Sequence, residues 1–486
     1  MKITKTSRII TFVLALLLSM TFLSCGHPPA NGNTTSDGAT TPSVTESEET
    51  KFVPDIDIKD YQSEFYVVNG TAFTNEFHFV EGYNGDYMND VVYERMVKVK
   101  DHVGVECFFV DAGSWTEYAG AVMKTVQAGD DEYQLVMTHT YQGITQLMTG
   151  NSLFDFRDFE SINLDADYWA QNLMQELNVK GTCLFGYNDF CLSNVYTISF
   201  NKKLCTDNDM EYPYDLVRNK QWTLDKMMQM ASVVSADDGN GVWGPEDTYG
   251  LTSSHWSTMI SMMTACDIQV IDCDENGSWY VAYDNQIDKL TTLLEKTVAM
   301  YDANWARLAT SSFTEKDTVP LSTGHTLFYM SEMSALRSLK GEDIAYGILP
   351  YPMFDTNQND YKSLSWSGLL CVPTTIQNPE MVGDVLELLA YYSEPVKEAF
   401  YENLFGSKIA QDPDDAEMLK ILWNTKISER AFVVANTTTS MDQLLYLLPI
   451  LGQEKNTSVA SFLKSNKNSA QKSMDRFFER LEKARN

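Results

Sequence analysis

The chain has 486 residues, with 36 basic and 67 acidic side chains, a formal charge of −31, 44% apolar residues and 12% aromatic ones. A surface this acidic repels phosphate backbones and anionic headgroups, which argues against nucleic-acid binding and against membrane adhesion through charge, and favours neutral ligands. Length and apolar content suffice for large buried cores in about two domains.

Lys2, Lys5 and Arg8 precede an apolar run from Ile9 to Cys25. The run is too short and wrongly flanked to remain as a membrane-spanning helix, so it reads as a signal segment cut near Ser24. The order Phe22-Leu23-Ser24-Cys25-Gly26 resembles the lipobox of bacterial lipoproteins, with Phe22 where Leu is more common. That resemblance implies removal of residues 1–24 as a lipoprotein signal peptide and lipidation (palmitate) of Cys25. Losing three basic residues and no acid takes the formal charge from −31 to −34 in the mature chain. Residues 25–54 follow as the lipidated cysteine and a disordered tether, since Gly26 to Pro54 is rich in Thr, Ser, Asn, Gly, Pro and Glu and has almost nothing to bury. As a flexible coil this tether spans about 30 Å r.m.s..

Seven further cysteines stand at 107, 183, 191, 205, 266, 273 and 371. They are odd in number and show no CxxC or CxxH spacing, so they read as small buried hydrophobes rather than zinc ligands. A pairing of Cys183 with Cys191 stays open.

Folded sequence is expected from residue 55 or so, with two strands at Phe65–Val68 and Phe77–Val80 around an Asn69-Gly70 turn signal. A helix capped by Asn89 carries Val92, Met96, Val99 and Val103 at helical spacing, and Gly104 ends it before the strand Val105–Val110. The pattern repeats: Thr116 opens a helix with Tyr118, Ala121, Val122, Thr125 and Val126, Gly129 closes it, and Leu135–Met137 is the next strand. Alternation of strand and helix predicts an α/β fold with a parallel sheet, in which ligands sit beyond the carboxyl ends of the strands, here Asp111–Trp115 and Thr138–Tyr141.

Several motifs point the same way: Asn89-Asp-Val-Val-Tyr-Glu-Arg95, the strand ending Phe200-Asn201-Lys202, the helix start Trp222-Thr-Leu-Asp225, Tyr346-Gly-Ile-Leu-Pro-Tyr-Pro352 and Leu369-Leu-Cys-Val-Pro373. Together they resemble the extracellular solute-binding proteins of ABC importers, in the carbohydrate-type class found as lipoproteins in Firmicutes. The likeness covers most of residues 60–485 as short motifs. It implies a two-lobed periplasmic-binding-protein-like fold with a hinge of crossing strands. Lobe one would comprise residues 55–200 plus 325–370, and lobe two residues 201–324 plus 371–486. Thr326–Met330 would carry the chain back between lobes, a third crossing would lie near Trp366–Pro373, and helices at Glu380–Tyr392, Pro395–Asn403 and Asp415–Trp423 would pad lobe two. The last helix, with Ala470, Met474, Phe477, Phe478 and Leu481 on one face, reads as core packing.

Other motifs carry less. Gly239-Asn-Gly241-Val-Trp-Gly244 matches GxGxxG but lacks the preceding strand and following helix that phosphate binding needs. Read as a calcium loop, residues 236–247 put Ala236 where the first carboxylate belongs. Residues 272–283 end on Tyr283, and read more simply as a hairpin between Gln269–Ile271 and Trp279–Val281. No HExxH, GxSxG or P-loop occurs. No metal, cofactor or catalytic residue is expected.

Sugars present CH faces that stack on aromatic rings and hydroxyls that need polar partners. Nine Trp, 25 Tyr and 24 Phe supply such rings. By position, the candidate ligand contacts are Trp115, Thr138, Tyr141, Tyr196, Trp256, Tyr329, Glu332 and Trp366, with Trp256 and Trp366 foremost. The resemblance implies a monomeric receptor, lipid-anchored on the extracellular face of the membrane, that delivers a neutral sugar or oligosaccharide to a permease. The alternatives are a surface lipoprotein enzyme acting on glycans and a binding subunit for a sensor kinase.

Overall fold

The computed structural model describes residues 52–70, 78–177, 179, 181–191, 194–312, 314–339, 342, 344–366, 368–400 and 412–485, and residues from Lys51 onward form one compact unit. The expected signal segment, Cys25 and the tether up to residue 51 lie outside the described residues. So do Phe77 and the end of the helix expected at Pro395–Asn403. The body begins earlier than composition suggests, because the Phe52 ring lies 6.0 Å from that of Tyr168.

Two sheets organise the unit. The smaller contains β1 (Ser63–Asn69), β2 (Val105–Val110), β3 (Leu135–His139) and, much later in the chain, β13 (Gly368–Cys371), in the order β13-β3-β1-β2. β1 runs parallel to both β2 and β3, as strand–helix alternation requires, and β13 closes the edge antiparallel to β3. The helix between β1 and β2 spans Tyr87–Val103 and buries Val92, Met96, Val99 and Val103. Its cap is Asp86 rather than Asn89: Asp86 accepts from the Asn89 N–H, so the helix starts two residues before the expected cap. Residues 78–80 do not form the expected strand. The His78 ring instead packs among Phe109 and Phe190, and its carbonyl accepts from the buried Arg95.

The larger sheet takes β4 (Asn194–Asn201), β5 (Ser235–Ala236), β6 (Thr248–Ser253), β9 (Ala306–Arg307), β10 (Thr326–Glu332), β11 (Tyr346–Leu349), β12 (Ser363–Trp366) and β14 (Lys426–Ile427). β7 (Ile271–Cys273) and β8 (Trp279–Val281) make the predicted hairpin. β4 pairs antiparallel with β10, β11 and β12. β10 and β11 therefore belong to the larger sheet, and the chain returns to the smaller one only between Trp366 and Gly368, where β12 ends and β13 begins. This differs from the expected return at Thr326: six of the seven residues of β10, all but Leu327, find ladder partners in the larger sheet, in β4 and β6.

The C-terminal third divides as well. Helix Pro379–Tyr391, expected to pad the second lobe, packs on the helix Tyr87–Val103 and is tied to early residues, with Lys59 bridging Glu380 and Asp384 and Trp169 donating to Glu387 at 2.9 Å. Helix Pro413–Asn424 joins the larger sheet, where Asp415 accepts from the Ile348 N–H and the Tyr214 hydroxyl. Thr223 caps helix Leu224–Ala231 as expected. The final helix, Val459–Arg485, buries Ala470, Met474, Phe477, Phe478 and Leu481. All seven cysteines from Cys107 on are free thiols and six are buried, so Cys183 and Cys191 are not paired. Among the described residues no helix is long and apolar enough to cross a membrane.

Candidate functional site

The crossing from β12 to β13 puts Trp366 beside the carboxyl end of β3, and a chain of rings grows outward from it. The Trp366 ring lies 4.8 Å from Phe432, 5.2 Å from His139 and 6.1 Å from Tyr141, and its indole N–H donates to His139 Nε2 at 2.7 Å. Trp115, 42% exposed in the loop after β2, has its ring 5.1 Å from that of His139. That loop is set locally: Asp111 accepts from the Gly113 N–H, Gly113 adopts φ 104°, and Glu117 accepts from Ser114 through both its N–H and its hydroxyl.

The segment carrying His139 and Tyr141 is pinned by Tyr118. Its hydroxyl accepts from the His139 N–H at 3.2 Å and donates to the Gln142 carbonyl at 2.6 Å. Gly143 makes this possible. It holds φ 82°, and a Cβ there would lie 2.6 Å from the Tyr118 hydroxyl. Burial pushes the His139 imidazole down to about 4. Geometry agrees with that direction, because the Tyr141 N–H points at Nδ1 at 3.0 Å while the Trp366 indole points at Nε2. A neutral imidazole has one acceptor nitrogen and satisfies one of these donors, whereas a doubly protonated ring would satisfy neither.

From Tyr141 the track continues. Its hydroxyl donates to Asp442 at 2.5 Å, and burial followed by the Asp442 hydrogen bond raises that phenol far above its usual range. Helix Thr439–Leu445 carries Asp442, and Tyr446 follows one turn later as its C-cap, on the same side. The Tyr446 ring stacks on Trp256 with centroids 4.9 Å apart and planes 17° apart, an arrangement worth about 1 kcal/mol beyond burial. Next to Trp256, the His255 ring meets Tyr196 edge-on at 6.0 Å, and His255 Nε2 lies 2.8 Å from Glu332 Oε1. Burial is the largest influence on the Glu332 carboxyl and acts to raise it, but the His255 hydrogen bond and charge, with a backbone N–H and the Tyr196 hydroxyl, together leave the group below its ordinary value.

Of the eight residues expected to contact ligand, the structure brings five into this track with exposed surface: Trp115, Tyr141, Trp256, Glu332 and Trp366. The other three are buried. Thr138 is fully buried, its hydroxyl 3.4 Å from the Leu369 carbonyl and 3.8 Å from Cys371 Sγ, so it fastens β3 to β13. Tyr196 and Tyr329, on the paired strands β4 and β10, are 1% and 7% exposed, and the Tyr196 ring lies against His255. Sequence reasoning missed His139, His255, Phe432, Asp442, Tyr446 and Asn436, whose side-chain amide donates to the Tyr141 carbonyl. Only the spacing of Asp442 and Tyr446 by one helical turn offered a local signal, and nothing in it pointed to β3.

In the GxGxxG loop, Asp237, Asp238 and Asp247 bring carboxylate oxygens within 4.8 Å of one another, and no other group of three potential metal ligands this tight occurs among the described residues. Both Asp247 oxygens accept backbone N–H groups, from Asp238 and Gly244, which accounts for the turn without an ion.

No family model matches the sequence, and no curated protein matches it. Solved structures do. The GacH receptor of Streptomyces glaucescens, known unliganded and in complex with acarbose, superposes with a TM-score of 0.56 at 11% identity, covering 85% of this chain and 98% of that one. An ABC substrate-binding protein from Listeria monocytogenes in complex with cycloalternan gives 0.53 at 13% identity over 85% of this chain and 99% of that one. A solute-binding protein from Thermotoga lettingae bound with α-D-tagatose gives 0.53 at 12% over 85% and 99%. The chain therefore has the α/β, two-lobed fold of ABC-transporter solute-binding proteins.

Proposed function

We propose that the protein is a carbohydrate receptor that captures a sugar or oligosaccharide for an ABC importer and performs no chemistry on it. The observation that carries this reading is the aromatic track, built from residues of both sheets on a fold whose solved examples hold sugars. Rings at Trp115, Trp366 and Trp256 offer flat faces for sugar CH groups, while Asp442, Glu332, His255 and Asn436 offer partners for hydroxyls. Closure of two lobes over a solute needs contacts that differ between open and closed states, and a track drawing on both sheets provides them. Lobe one would comprise the residues around the smaller sheet with helix Pro379–Tyr391, and lobe two the residues around the larger sheet. Cys25 would hold the receptor as a monomer at the outer face of the membrane, leaving the lobes free to reach a permease.

The test is a thermal-shift screen of residues 51–486 against mono- and oligosaccharides, with product analysis of every stabilising sugar. A ligand at 100 times its dissociation constant raises stability by about 2.7 kcal/mol. A sugar that stabilises and is recovered unchanged is the expected result, and a sugar that is consumed overturns it in favour of a glycan-acting enzyme. Replacing Cys25 with Ala is expected to release the protein into the medium.

A further inference from the structure

Tyr141 and Thr116, at the edge of the aromatic track, also line a half-open cavity of about 510 Å³ that runs from the start of helix Ile144–Thr149 to the last turns of helix Val459–Arg485. Its volume lies within the range of small-ligand sites, about 300–1,000 Å³. In a chain with 67 acidic residues none lines it. Its walls are hydroxyls and amides, including Thr438 and Asn436, and two arginines, Arg476 and Arg480. These arginines stand one helical turn apart on the same face, both exposed, and neither is held in an ion pair with a described residue. Asn436 also donates to the Tyr141 carbonyl at 2.7 Å, so the cavity wall and the track share a hydrogen bond.

We infer that this cavity is a subsite for a negatively charged sugar unit, and that the cargo is an oligosaccharide carrying a carboxylate next to the ring held by Trp115 and Trp366. The inference rests on the carbohydrate reading above and names its substrate class. Two guanidinium groups at this spacing can flank one planar carboxylate, and the charge-assisted, bidentate bonds they form are the strong ones. The acidic surface opposes an anion in bulk, but repulsion between exposed charges is screened beyond about 8 Å at physiological salt, whereas the arginines act at contact. The local charge therefore decides the preference, against the expectation of a neutral cargo drawn from net charge. Asp442 is the nearest acid of the track, and its oxygen is taken up by the Tyr141 hydroxyl.

The test is titration calorimetry on residues 51–486 with paired probes, neutral trisaccharides (maltotriose, mannotriose, cellotriose) and uronate trisaccharides (trigalacturonate, trimannuronate), at low and high salt. A uronate probe is expected to bind on the order of tenfold more tightly than neutral ones at low salt, and to lose that margin at high salt. The double variant Arg476→Gln/Arg480→Gln is expected to lose about tenfold in uronate affinity with an unchanged melting temperature, while the charge-matched double variant Lys464→Gln/Lys483→Gln, at exposed positions of the same helix, keeps it. A neutral trisaccharide bound as tightly as any uronate, or uronate binding indifferent to the double variant, overturns the inference and leaves the sugar receptor standing. Failure of every probe overturns both. A sulfated disaccharide as a final probe, bound in place of the uronates and lost in the double variant, replaces the carboxylate by a sulfate ester and so also overturns the proposal as stated.

Discussion

The two ends of the aromatic track each hold a histidine beside a tryptophan, and the two histidines live in different conditions. His139 is 3% exposed, its imidazole kept neutral by burial and faced by N–H donors at both nitrogens. The His255 side chain is 36% exposed, with Glu332 as partner and an open edge toward solvent. The first is a strut that orients Trp366 and Tyr141. The second is free to exchange a water contact for a ligand hydroxyl. The same residue type thus builds the site at one end and offers itself to solute at the other, and burial makes the difference.

The largest expected effect comes from removing the ring that the first end is built on. Trp366→Ala should cost about 3 kcal/mol in chemical denaturation and abolish sugar stabilisation, since the Phe432, Tyr141 and His139 contacts go together. If stability holds and only binding falls, Trp366 is a ligand platform rather than a keystone.

Next comes pH. A histidine whose folded value is about 4 against an ordinary 6.5 binds fewer protons folded than unfolded between those values. Stability should therefore fall as pH drops from about 6.5 to 4, by up to about 3 kcal/mol. His139→Gln should flatten that slope in pH-dependent melts. A slope unchanged in this variant would mean that burial of His139 does not set it, and would erase the contrast between the two ends.

Trp256→Ala should weaken sugar binding by about tenfold and cost about 1 kcal/mol of stability for its stack on Tyr446, in addition to the burial lost with a partly buried ring. The smallest effect is expected from Glu332→Gln. Its folded carboxyl lies below 4.5, so its contribution is present above that pH and lost as pH falls through the folded value. For a side chain still 23% exposed that contribution should stay under about 1 kcal/mol. A larger loss would mean that the His255 contact is structural, like that of His139.

Much of the fold was legible. Apolar spacing marked the helices at Tyr87–Val103 and Leu224–Ala231, and the β-runs marked β1, β2, β3 and the β7–β8 hairpin, because each pattern is local. The sheet that β10 joins was not legible, because an apolar strand reads alike in either sheet. Trp256 and Trp366 stood out as large rings beyond strand ends. Thr138, Tyr196 and Tyr329 sat in equally suggestive places and proved buried, since alternate residues of a strand face opposite ways and only packing tells which face is open.

The sequence by itself determined the class of elements, their order and the aromatic supply, since propensity and periodicity act over a few residues. Only the tertiary structure decided which rings meet. Tyr141 and Asp442 are 301 positions apart and His139 and Trp366 are 227 apart. Such pairings follow from how sheets and helices pack, and no short-range pattern encodes them. The same holds for Arg476 and Arg480: the sequence records an acidic chain, but a ligand meets the few charges within a Debye length of its seat, and folding chose which those are.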